Sequence, residues 1–149
     1  MISDATANQF LAGLSATTFT GAPLRKEAMT RLSNLEGYNW SGIYLLEGET
    51  LVLDEYVGEA TDHTRIAVGV GVCGTAVAED KNQVIADVRE LSNYLACSLV
   101  TRSEIVVLIK KEGKTLGQID IDGHEVAAFD KSDEAFLEKL ADLLADRWG

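Results

Sequence analysis

Cys73 and Cys97 are the only two cysteines of the chain, and both stand upstream of an acidic set, Glu104, Asp120 and Asp122. A thiol beside several carboxylates suits redox chemistry better than it suits a core. A thiolate can attack an electrophilic sulfur, a carboxylic acid can protonate the departing oxygen, and further carboxylates can hold a substrate ammonium. A plain structural reading stands beside this one, because free cysteines commonly serve as small buried hydrophobes. Asp120 and Asp122 lie two apart on a predicted strand and so share a face, which a one-sided antiparallel sheet could simply turn to water. Trp40 and Tyr44, at even spacing, read by default as core aromatics.

Other motifs are weaker. Gly69, Gly71 and Gly74 spell a G-x-G-x-x-G pattern, but that pattern signals a dinucleotide only inside a strand–helix–strand unit. Here the preceding strand is short and the following helix ends by about Asp80. The glycines instead let the backbone turn tightly and approach a ligand. A helix beginning there would direct N–H groups toward the neighbourhood of Cys73. Two cysteines and two histidines lack the spacing of a metal site, so neither a metal nor an organic cofactor is expected.

The composition narrows the function class. A chain of 149 residues is one domain's worth, read as a single unit over 1–149 and long enough to build a core without staples. Its formal net charge of -11 opposes binding to nucleic acid or to an anionic membrane surface. No stretch is long and apolar enough to span a bilayer, and the first residues lack the basic flank and apolar run of a signal peptide. Two cysteines without an export signal point to the cytoplasm, where a disulfide is transient and catalytic.

The elements that must position these residues are legible in outline. Helices are expected over Asp4–Ser15 and Leu24–Leu35, the second opened by Pro23. Asn39–Leu46 and Thr50–Tyr56 read as a hairpin around Glu47-Gly48-Glu49. Glu104–Lys110 and Thr115–Asp122 form a second hairpin around Glu112-Gly113-Lys114. A closing helix from about Ser132 to Trp148 carries the stripe Phe136, Leu137, Leu140, Leu143 and Leu144, capped by Asp130 or Ser132. The long segment from Thr61 to Thr101, poor in strand signal, is expected to carry function and to hold both cysteines in loops. Helices at both ends around antiparallel strands define an α+β fold with the helices on one face of the sheet.

Taken together, several runs carry a resemblance. They are Asn39-Trp40-Ser-Gly-Ile-Tyr44, Gly71-Val-Cys73-Gly-Thr-Ala, Asp87-Val88, Leu95-Ala-Cys97, Ser103-Glu104-Ile-Val-Val107 and Gly117-Gln-Ile-Asp120-Ile-Asp122. With their spacing kept, they resemble a GAF domain and, more narrowly, the free methionine-(R)-sulfoxide reductases. The resemblance implies an antiparallel sheet backed by the terminal helices. It implies that Cys97 is the nucleophile and Cys73 a partner in disulfide exchange. By the same resemblance Glu104, Asp120 and Asp122 serve the substrate's amino group and sulfoxide oxygen, and Trp40 and Tyr44 line the methyl-sulfur end. A thioredoxin-like reductant and a homodimer also follow from it.

The departures matter as much. The family usually carries a third, resolving cysteine upstream, and its slot here is filled by His63. The residue after Cys97, typically acidic, is Ser98. Two readings fit these changes. In one, Cys73 has become the resolving thiol of a reductase. In the other, the pocket is a non-catalytic module that binds a small amino-acid-like ligand. His63 itself is a loop histidine, a base near a thiol, or a ligand contact.

Overall fold

The computed structural model describes residues 1–92, 94 and 99–149, which leaves Cys97 and Ser98 outside the described residues. Helix α1 spans Asp4–Ser15, with the Ser3 hydroxyl accepting from the Thr6 N–H as its N-cap. Helix α2 runs Gly21–Leu32, three residues earlier at each end than its apolar spacing predicts. Thr20 is its extended N-cap, so Pro23 falls inside the first turn, where a missing N–H costs nothing. Leu35 lies beyond the helix and still packs on the core, which is why it completed the periodic pattern.

Strands β1 (Trp40–Glu47) and β2 (Thr50–Val57) pair through a turn in which Gly48 takes φ +64°. After β3 (Arg65–Ala67), helix α3 (Gly71–Glu79) begins at a glycine with φ +65°. Cys73 therefore sits in the first turn of a helix rather than in the loop expected for it. Strand β4 (Gln83–Ile85) and a single 3₁₀ turn (Val88–Glu90) lead to β5 (Ser103–Lys111) and β6 (Lys114–Gly123). That hairpin turns on Glu112 and Gly113 alone, with φ +53° and +79°, so Lys114 already belongs to the strand. Positive φ at both central residues is what the twist of a tight hairpin requires. The chain closes with α4 (Lys131–Asp146), where Asp130 and Asp133 form a reciprocal capping box.

The strands make one antiparallel sheet in the order β3-β2-β1-β6-β5-β4. Period-two alternation divides its faces. Ile43, Ile105, Val107, Ile109, Ile119 and Ile121 face α1, α2 and α4 and form the main core. Leu137 and Leu140 of α4 are fully buried in it, each contributing roughly 1.5–3 kcal/mol. Trp40, Tyr44, Val106 and Leu108 lie on the other face, beneath Val72, Cys73 and Ala76 of α3. Both faces of the central strands are covered, so the residues on the α3 face are shut away from water. None of the helices among the described residues is long and apolar enough to cross a membrane.

Candidate active site

Glu104 and Asp122 are opposed across the β5–β6 ladder, and Asp120 lies one inward position further along β6. Asp120 is fully buried, Asp122 is 1% exposed and Glu104 3%. This excludes the reading in which the two aspartates are merely a solvated sheet face. The Cys73 Sγ lies 4.0 Å from Glu104 Oε2. That sulfur and one oxygen from each of Glu104 and Asp120 all fall within 4.8 Å of one another.

Burial first, and then the charges of Asp120 and Asp122, hold Glu104 well above the usual carboxylate range, and its proton is directed to those two aspartates. Burial also raises Asp120, while hydrogen bonds from Glu104 and Cys73 work the other way and favour its ionised form. Both carboxyl groups are therefore pushed toward their protonated forms, beside a thiol. Among these donors, that proton-loaded state suits acid–base work better than metal coordination.

The aromatic residues sit next to the acids. On the β6 side of β1, Trp40 pairs with Asp122 and Gly42 with Asp120. The Trp40 indole lies flat against backbone. A Cβ at Gly42 would come 2.4 Å from its Cη2, and one at Gly58, which takes φ +136°, would come 2.6 Å from its Cδ1. Tyr56 stacks on the indole with centroids 5.7 Å apart and planes 18° apart. The Trp40 Nε1–H donates to the Glu59 carbonyl at 2.8 Å, and the Tyr44 hydroxyl donates to the His63 carbonyl at 2.8 Å. One loop thus orients both aromatics, and His63 joins the site through its backbone carbonyl.

Downstream, the 3₁₀ turn is fixed by Asp87, whose carboxylate accepts from the Arg89 backbone and guanidinium. Those bonds lower Asp87 to about 2. A cavity of about 190 Å³ lined by Gly71, Thr75, Gln83, Ile85, Leu91 and Ser92 adjoins the helix turn that carries Cys73. A larger cleft of about 330 Å³ is lined by Asp80, Asn82, Lys110 and Glu138, and none of the expected site residues lines it.

Of the expected residues, Cys73, Glu104, Asp120 and Asp122 form one buried cluster, and Trp40 and Tyr44 line the same face. Cys97 lies outside the described residues. The sequence reading missed Gly42, Gly58 and Tyr56, which seat the indole. A glycine inside a strand was the available signal, since it marks a bulge or a close approach.

Such a sheet, with three helices behind it and a short helix over a buried polar site, is the GAF arrangement. The GAF domain family profile matches residues 12–148, and the chain belongs to that family. A free methionine-R-sulfoxide reductase of Escherichia coli K12 is 38% identical over 133 residues, covering 89% of this chain and 78% of that protein. One from Saccharomyces cerevisiae is 44% identical over 110 residues, covering 71% of this chain but only 61% of the yeast protein's length. A structure of the Staphylococcus aureus fRMsr in complex with substrate superposes with TM-score 0.89 at 31% identity, covering 100% of this chain and 99% of that one. Within the GAF family, this chain belongs with the free methionine-R-sulfoxide reductases.

Proposed function

We propose that the protein reduces free L-methionine-(R)-sulfoxide to methionine. The observation that carries this is a buried thiol 4.0 Å from a carboxyl group that burial pushes toward its protonated form. The substrate ammonium pairs with Asp120 and Asp122, and its methyl-sulfur end rests near Trp40 and Tyr44.

The Cys97 thiolate attacks the sulfoxide sulfur while Glu104 protonates the oxygen. The sulfur–sulfur bond formed by the attack breaks as the hydroxyl passes from the methionine sulfur to the Cys97 sulfur, so methionine leaves and Cys97 is left as a sulfenic acid. The Cys73 thiol condenses with that acid, releasing water and forming a disulfide. Two electrons from a thioredoxin-like dithiol then restore both thiols. Assigning resolution to Cys73 answers the presence of His63 in the usual cysteine slot. The reading places the protein in the reducing cytoplasm, and a homodimer follows from the family likeness.

Those same departures favour one other reading, a binding module that has lost its turnover. Steady-state assay with thioredoxin and its reductase separates the two. The reductase consumes free (R)-sulfoxide, spares the (S)-epimer, and spares sulfoxide within a peptide, where no free ammonium reaches the acids. Equal reduction of the peptide contradicts the pocket assignment. Tight binding of the sulfoxide without turnover establishes the module instead.

A further inference from the structure

Among the described residues, Gln118 is a fully buried polar side chain on this face that the proposed chemistry leaves unused. It lies two residues from Asp120 on β6 and therefore points to the same side of the sheet. Its ladder partners are Tyr44 on β1 and Leu108 on β5. It is fully buried, and neither end of its carboxamide finds a hydrogen-bond partner among the described residues. Leu108 and Val106 fill neighbouring inward positions at no such cost, so an apolar residue would fit the fold better. A buried amide left unsatisfied beside a working acid calls for a functional account.

We propose that Gln118 is a positioning residue that acts through Asp120. Its N–H supplies the hydrogen bond that Asp120 loses when Glu104 gives its proton to the departing oxygen. This inference rests on the reductase reading for its timing and on the cluster alone for its geometry. Among the described residues, the titratable groups on this face are Glu104 from β5 and Cys73 from α3, which reach Asp120, with Asp122 on its own strand and Tyr44 opposite Gln118 on β1. Among the neighbours named, the carboxamide is the one neutral group with N–H donors to spare. An N–H directed at the carboxylate favours its ionised form. Without it, the Glu104–Asp120 pair keeps its second proton to a higher pH.

The test compares wild-type protein with Gln118→Met and Gln118→Leu, both close in volume. The expected result is an unchanged or raised melting temperature together with a roughly tenfold lower kcat, the size of one hydrogen bond to a charged group. The basic limb of the kcat profile, where Glu104 loses its proton, moves to higher pH. A ¹³C-NMR titration of the buried carboxyl groups reads the same upward movement without substrate. If wild-type protein turns nothing over, the reductase reading fails while the titration still decides the role of Gln118. An unmoved carboxyl titration overturns the inference, whatever the melting temperature does. Lowered activity and stability with an unmoved pH profile also overturns it, because that is what a packing role gives.

Discussion

At the scale of single residues, the account turns on where protons sit. Glu104 in the folded chain titrates well above its ordinary 4.5, so the folded state holds a proton that the unfolded state releases above that value. Stability therefore falls as pH rises from about 4.5 toward the raised pKa, and Asp120 adds to the same trend. Glu104→Gln removes this titration. Its melting temperature should vary less between about pH 5 and pH 8 and exceed that of wild type at the upper end. Its kcat should fall by roughly 10²–10⁴, the usual loss when a general acid is removed. Parallel pH–stability curves for the two proteins would show that Glu104 ionises normally. The identities of these acids were legible in the sequence because Asp120 and Asp122 keep strand spacing. Their burial was not, since the same spacing equally describes a solvated face. Only the covering of that face by α3 decides between the two.

At the scale of elements, the hairpins and terminal helices follow from local chemistry, and most of their boundaries fall within a residue or two of the pattern. Helix α2 is the exception. Thr20 and Gly21 start it before its apolar stripe begins, and Leu35 extends the stripe beyond its end. The seating of Trp40 was not legible, because it depends on Gly42 within its own strand and on Gly58 from the end of the next. Gly42→Ala should lift the indole, raising KM more than it lowers kcat, with a shift in tryptophan emission. Adding Trp40→Phe removes the ring atoms that collide with the new methyl group. The double variant should therefore recover part of the lost kcat/KM relative to Gly42→Ala. If Trp40→Phe instead worsens that variant additively, Gly42 does not act through the indole.

At the scale of the whole molecule, one sheet carries two jobs. The face beneath α1, α2 and α4 supplies stability through its isoleucines and the leucines of α4. The face beneath α3 gives up part of that stability to keep acids, a thiol and an unsatisfied amide buried together. A domain built only for stability would not bury them so, which is why the reductase reading accounts for more of the molecule than a passive fold does. On the proposed reading, the family departure at His63 leaves the first chemical step intact and changes only how the oxidised thiol is resolved. Single turnover is thus the direct test of the central claim. Reduced protein, freed of reductant, is mixed with an equal amount of free L-methionine-(R)-sulfoxide, and methionine is measured in wild type, Cys97→Ser and Cys73→Ser. Wild type and Cys73→Ser should each release up to one methionine per chain, Cys73→Ser should fail to recycle with thioredoxin, and Cys97→Ser should release none. No methionine from wild type, or an undiminished burst from Cys97→Ser, would contradict the account.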